Sequence, residues 1–384
     1  MAMKFKLEKK VLAAAVVVMA GAAAQAGEIK IGFVSSLSGP VSALGIPYEK
    51  GIRAALAQHP TIAGHQVKLI VLDDASDPSV AGRNARKLVN EEKVDVLIGT
   101  SGVPGAMAVA AVARELKTPL ISPTPLTLPG KENDWIVSTS QPFELMVAGV
   151  VKRMKASGVK SVAFIGFSDA LGDMTYDALV QRAKEAGIKV MANERYARTD
   201  SSVAGQVLKI VAQRPDAVFT GTSGSPGALP YLALKDRGYK GQIYGTHGLI
   251  NADFVRVVGS AGDSLQVPSG PVLVADQLPD SNPNKKVSLE FLEAYKKLNG
   301  APPADAFSSY AYDAYAVLGH AASRLKEAPG SAGYREALKN AILGTKELVG
   351  TQGIFNFKPE DRYGSDERAV VIVRLEKGKW VLVK

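Results

Sequence analysis

An eight-residue run, Gly-Thr-Ser-Gly-x-Pro-Gly-Ala, occurs twice, at Gly99–Ala106 and again at Gly221–Ala228, 122 residues apart. Each copy follows a largely apolar, β-branched run, Val94–Ile98 in the first case and the shorter Ala217–Thr220 in the second. Each is followed by an Ala/Leu-rich stretch of helical character. A Gly-Ser loop between strand and helix presents free backbone N–H groups, a hydroxyl and a helix N-terminus, which suit an anion or a polar head group. Two such loops one domain-length apart predict two similar α/β lobes, each offering one wall of a shared cleft.

Strand-like and helix-like segments alternate from Glu28 onward. Ile29–Val34, Val67–Leu72, Val94–Ile98 and Leu120–Ser122 read as strands, and Tyr48–Ala57, Pro78–Glu91 and Ala106–Leu116 as helices. Asp77 before Pro78 supplies an N-cap followed by proline at the first helical position. The rhythm restarts after Trp135–Thr139 with strands at Ser161–Phe167, Lys189–Asn193, Ala217–Thr220 and Gln242–Gly245. Helices are predicted between them at Phe143–Ser157, Thr175–Ala186, Val203–Gln213, Leu229–Arg237 and Ala252–Val258. This βαβα order argues for mainly parallel sheets with helices on both faces. Val267–Ala275 reads as a further strand, and three helices follow at Asn284–Leu298, Ala304–Lys326 and Tyr334–Leu343. The tail, Gly353–Phe357 and Ala369–Val383, alternates apolar and polar around a Lys377-Gly378 turn, as a terminal hairpin does.

Composition narrows the function classes. At 384 residues, 46% hydrophobic and 22% charged, the chain has the make-up of a globular protein with two domains. Lys4, Lys6, Lys9 and Lys10 precede the apolar run Val11–Ala24, which ends in Ala24-Gln25-Ala26. That pattern predicts a secretory signal peptide over residues 1–26, cleaved after Ala26, and a soluble periplasmic product. The run, about 14 residues, is short for a membrane span. The formal charge of +9 falls to +6 beyond that site, with Lys and Arg scattered among Asp and Glu, so no nucleic-acid footprint is expected. Cysteine is absent, which excludes disulfides, thiol catalysis and a lipid-modified N-terminal cysteine.

Enzyme chemistry finds little support. Both Gly-Thr-Ser-Gly runs miss the final glycine of a nucleophile elbow, and no phosphate-loop or dinucleotide fingerprint occurs. The four histidines, His59, His65, His247 and His320, have no metal-ligand spacing. No cofactor or metal is expected. The carboxyl ends of strands, where open α/β sheets bind ligands, carry the candidates instead. Ser38 follows the first strand, Ser101-Gly102-Val103 another, and Ser122 and Thr124 alternate with prolines after the next. Each hydroxyl could equally serve as a local cap; their convergence on one rim favours a ligand. On the second lobe, Thr222, Ser223 and His247 stand at strand ends, and Phe167, Phe143 and Leu171 could form apolar walls or simple core.

The segments Ile31–Gly45 (IGFVSSLSGPVSALG), Leu72–Val80 (LDDASDPSV), Lys87–Gly99 (KLVNEEKVDVLIG) and Ile121–Pro125 (ISPTP) resemble the branched-chain amino-acid-type periplasmic binding proteins of ABC importers. The resemblance runs from about Glu28 to the C-terminus. It implies the α/β type I binding-protein fold, two Rossmann-like lobes joined by three crossovers with the ligand held between them. The crossovers would lie near Thr139–Gln141, Ala275–Gln277 and Gly350–Gly353. One lobe would then comprise residues 27–140 plus 276–350 and the other 141–275 plus 351–384. It also implies an ABC permease as partner, a small-molecule ligand, and a monomer that closes on that ligand.

Carried over residue by residue, the resemblance places Ser101, Ser122 and Thr124 on a ligand carboxylate. The position that meets an amino acid's ammonium with an acid falls on His247, and two positions that are often aromatic fall on Leu44 and Leu171. An unpaired buried ammonium costs several kcal/mol. The reading is therefore a carboxylate without an α-amino group, an aromatic acid such as a benzoate or hydroxybenzoate, or an aliphatic acid. His247 would meet a ring hydroxyl or second carboxylate; in the latter case affinity should fall between pH 6 and 8. Asp169 keeps an amino-acid ligand open as a possible ammonium partner. A ligand-sensing receptor for a membrane signalling partner is the second class, and an exported hydrolase using Ser101 or Ser223 with His247 the third.

Overall fold

The computed structural model describes residues 27–126 and 134–383; the expected signal peptide lies outside them. The first half folds as β1 (Glu28–Ser35), α1 (Ser42–Gln58), β2 (Thr61–Ile62), β3 (His65–Asp73), α2 (Pro78–Asn90), β4 (Val96–Gly99), α3 (Val103–Glu115), β5 (Leu120–Ser122) and β6 (Ile136–Ser138). These strands form a sheet in the order β2-β3-β1-β4-β5-β6, parallel except for the β2–β3 hairpin. Ile29, Ile31 and Phe33 of β1 face one core, and Val34 faces the other with Leu97 of β4, so both faces are covered and the strand is apolar on both. Asp77 caps α2 through Ser79 N and Val80 N, with Pro78 opening the helix, as the sequence predicts.

The second sheet starts after α4 (Phe143–Ala156). It uses β7 (Ser161–Phe167), α5 (Ala170–Ala186), β8 (Lys189–Tyr196), α6 (Ala204–Ala212), β9 (Ala217–Gly221), α7 (Leu229–Asp236), β10 (Gln242–Gly245), α8 (Ala252–Val258) and β11 (Gln266–Ser269). The chain then returns to the first lobe as α9 (Pro283–Asn299), α10 (Phe307–Ala322), α11 (Tyr334–Leu343) and the small hairpin β12 (Leu348–Val349) and β13 (Ile354–Phe355). It ends as the hairpin β14 (Val371–Glu376) and β15 (Lys379–Leu382) on the edge of the second sheet, ordered β15-β14-β11-β10-β9-β7-β8. Lys377 and Gly378 both take positive φ in that hairpin's turn.

Four expectations shift. Helix α1 begins at Ser42, with Pro47 inside it, rather than at Tyr48. Helix α5 begins at Ala170, because Asp169 accepts Leu171 N and Gly172 N and starts the helix five residues early. The strand expected over Val267–Ala275 stops at Ser269, where Gly270-Pro271 opens a 3-10 turn over Pro271–Gln277. Gly353–Phe357 is not an arm of the terminal hairpin: Ile354 and Phe355 pair with β12, and Phe355 and Phe357 join the core of α1 and α10. The third passage between sheets therefore comes after Phe357, later than Gly350–Gly353.

The three passages meet at one place. Gln141, from the first, donates to the carbonyls of Gln352 (3.2 Å) and Ala369 (2.9 Å). Gly270, from the second, is so close that a Cβ there would lie 1.5 Å from Gln352 Oε1. A side chain at that position would displace the buried Gln352 and Gln141 amides.

Candidate functional site

The carboxyl ends of β1, β4 and β5 bring Ser35, Ser36, Ser101, Ser122 and Thr124 together, all buried. Their hydrogen-bond capacity is spent within the first lobe. Ser35 Oγ donates to Gly45 O (3.0 Å), so the Ser101 hydroxyl is left to donate to Ser35 Oγ (2.9 Å) while accepting Ser36 N (3.0 Å). Ser122 Oγ donates to Thr124 O (2.6 Å), and Thr124 Oγ1 donates to Thr100 O. No one of these three offers a free proton to a carboxylate without breaking a bond it already makes. Ser38 is exposed and its hydroxyl donates to Asp73 Oδ2 (2.6 Å) at the end of β3. Gly102 precedes α3 and backs onto Val41, and Val103 is buried among side chains of the second lobe.

The opposite rim carries charge. Asp169 follows β7, Arg198 follows β8, and Thr222-Ser223 follow β9; since the sheet order is β9-β7-β8, the three loops are neighbours. Arg198 Nε donates to Asp169 Oδ2 (2.6 Å), and Nη1 donates to Ser223 Oγ (3.0 Å). The guanidinium lies 4.1 Å over the Phe167 ring centre, and its side chain is only 14% exposed. Arg198 Nη2 is buried with no partner, as is Thr222 Oγ1. A buried charged donor left unpaired costs several kcal/mol unless something meets it. Asp169 is thus engaged on both oxygens, by Arg198 on one and by the α5 N-terminus on the other.

His247 is buried where the lobes meet. Its ring lies 5.8 Å from Phe143 of the second lobe, and 6.4 Å and 6.1 Å from Phe307 and Tyr310 on α10 of the first. Burial pushes its imidazole down to about 4, so it is neutral at physiological pH. This overturns the expectation of a charged contact whose loss between pH 6 and 8 weakens a diacid. His247 Nδ1 is buried without a partner. Elsewhere along the contact, Leu44 Cδ1 lies 3.2 Å from where a Cβ of Gly224 would sit, and Val103 packs with Phe143, Phe167 and Leu171. Gly224 has φ +63°, open to glycine alone at its extended ψ of −166°.

Sequence reasoning brought together Ser101, Ser122 and Thr124, Leu44, Val103, Phe167, Leu171, Thr222, Ser223 and His247 along the two rims. It missed Arg198, Phe307 and Tyr310. The one available signal for Arg198 was that it follows a strand, but that strand was read as ending at Asn193 rather than at Tyr196. Phe307 and Tyr310 sit on a helix whose apolar face is also its core face.

The sequence profile of the family described as periplasmic binding protein matches residues 28–379. A Leu/Ile/Val-binding protein homolog of Brucella melitensis is 29% identical over 346 residues, spanning 88% of this chain and 89% of its own. An extracellular ligand-binding receptor from Rhodopseudomonas palustris superposes with a TM-score of 0.89 at 40% identity, covering 93% of this chain and 100% of that one. A solute-binding protein of an ABC transporter from R. palustris, solved in complex with benzoate, has the same fold at 21% identity (TM-score 0.78, 93% and 96% covered). The chain belongs to the periplasmic binding proteins of the branched-chain amino-acid type, a type I fold whose members bind small molecules for ABC permeases rather than transform them.

Proposed function

We propose that the protein is the extracytoplasmic receptor of an ABC importer for a small carboxylate without an α-ammonium group, with an aromatic acid the favoured class. The observation that carries this is the buried Arg198 guanidinium with Nη2 unpaired beside Ser223. A guanidinium is shaped to take a carboxylate side-on, and burial makes that bond strong. The acid at this rim, Asp169, already has its charge balanced by the Arg198 guanidinium and the α5 N-terminus, which weakens its draw on an ammonium. Phe143, Phe307, Tyr310 and neutral His247 offer ring faces and one acceptor nitrogen, which suits an aryl group bearing a hydroxyl. A complex with benzoate, solved for a solute-binding protein of this fold, agrees with that chemistry.

In this reading the carboxylate is held by the second lobe, through Arg198 and Ser223, and the first lobe closes over the ring. Ser101, Ser122 and Thr124 shape the opposite wall. Contacts made by both lobes at once exist only in the closed form, so ligand favours closure by its differential affinity. Export through residues 1–26 and action as a monomer complete the proposal.

Calorimetry of the mature protein with benzoate, 4-hydroxybenzoate, an aliphatic acid, leucine and valine tests it. The aromatic acids should bind, and Arg198→Ala should weaken them by about 100-fold or more, since removing one partner of a buried charge pair costs about 2–5 kcal/mol. Arg198→Lys should recover part of the loss. Tight leucine binding with no response to benzoate would sink the reading.

A further inference from the structure

Tyr310 faces two ways. Its ring stands at the lobe contact, edge-on to His247 and 6.3 Å from Phe307. Its hydroxyl donates to Gln141 Oε1 (2.7 Å), on the first passage between lobes, and its carbonyl accepts the Thr139 hydroxyl (2.9 Å). Gln141 Nε2 then reaches Gln352 O, Gln352 Oε1 and Ala369 O. Gln352 in turn donates through Nε2 to Ala306 O (3.0 Å) and to Ser309 Oγ, one turn away on or beside the same helix. All of these groups are buried. The phenol therefore closes a polar circuit that ties the first and third passages to each other and to α10, with Gly270 of the second packed against it.

We propose that Tyr310 is the positioning residue through which cleft occupancy sets the hinge: a ligand that packs on its ring fixes the hydroxyl that holds Gln141, and through Gln141 the crossing strands in the closed arrangement. The inference rests on the cleft assigned above but not on which acid fills it. The circuit is local to the hinge, and among the described residues Tyr310 is the aromatic side chain hydrogen-bonded to Gln141. Loss of the hydroxyl should thus act on closure and leave ligand choice alone.

The test uses Tyr310→Phe, which keeps the ring, and Gln141→Met, which keeps the volume, each alone and together. Ligand is the acid or amino acid that the wild type binds in the calorimetry above, so a wrong ligand class leaves this experiment intact. Each single variant should raise Kd by about tenfold, through faster dissociation at unchanged association, with the rank order of ligands preserved. X-ray scattering should show a larger unliganded radius of gyration in both. The double variant should be no worse than Gln141→Met alone, because the only bond Tyr310→Phe removes is one Gln141→Met has already lost. Wild-type kinetics in Tyr310→Phe, additive losses in the double variant, or a changed rank order would each overturn the proposal; the last would make Tyr310 a direct ligand contact. A circular-dichroism spectrum and melting curve matching wild type are required of each variant, and Gln141→Met serves where Tyr310→Phe fails to fold.

Discussion

His247 and Arg198 show how burial decides what a side chain can do. An exposed histidine would titrate near 6.5 and could serve as a cation at neutral pH. Here burial takes its imidazole to about 4, so binding of a hydroxylated aromatic acid should be flat between pH 6 and 8. Isothermal titration at pH 6, 7 and 8 in matched ionic strength checks this, and a fall in affinity across that range would restore the charged role. Stability behaves differently. The unfolded chain takes up a proton at this histidine near 6.5 and the folded chain only near 4, so the contribution is complete above 6.5 and is lost as pH falls toward 4. Arg198 is the converse: it is a buried cation whose lost hydration is offset by the ion pair with Asp169 and the Phe167 ring beneath it.

At the scale of elements, α10 does most to organise the cleft and the hinge. It carries Phe307 and Tyr310 at one end and Asp313 one turn further on, fully buried, accepting Thr351 N (2.9 Å) and Gln352 N (3.0 Å). That carboxyl pins the β12–β13 turn to the helix, and burial pushes it up to about 7. A carboxyl near 7 when folded and near 3.9 when unfolded binds its proton more tightly in the folded state. Stability should therefore fall as pH rises from 4 to 7, and level off above. His247 opposes this trend below 6.5 but acts alike in both chains, so the wild type should lose melting temperature relative to Asp313→Asn as pH rises from 5 to 8; a difference constant with pH would remove Asp313 from the account. Elements were largely legible in sequence because their signals are local. Asp77-Pro78 opened α2, the Lys377-Gly378 turn made the last hairpin, and β5, β7 and β10 have the bounds that apolar alternation gave. The misses have local reasons too. Helix α1 starts at Ser42, ahead of the expected Tyr48, and accommodates Pro47, and Gly270-Pro271 ends a strand that apolar content alone would extend.

For the whole molecule, the quantity that matters is the contact between rims. Leu44 faces Gly224 across it, with no space for added bulk. Leu44→Trp should hold the lobes apart, raising the unliganded radius of gyration and weakening ligand by about tenfold, since overpacking costs about 1–3 kcal/mol. Scattering with and without saturating ligand would decide it; a compact, fully binding variant would mean that the rims tolerate a wider gap than the structure shows.

The sequence by itself determined that there are two α/β lobes, that strand ends with hydroxyls and glycines line their facing edges, and that no acid stands at His247. Those are consequences of period, caps and residue identity, each set within a few positions of chain. Only the tertiary structure decided which lobe carries the charge. Ser101, Ser122 and Thr124 have finite hydrogen-bonding capacity, and packing assigned it to Ser35, Ser36, Thr124 O and Thr100 O. Arg198 reaches Ser223 because β8 and β9 flank β7, an adjacency fixed by sheet order and not by spacing along the chain.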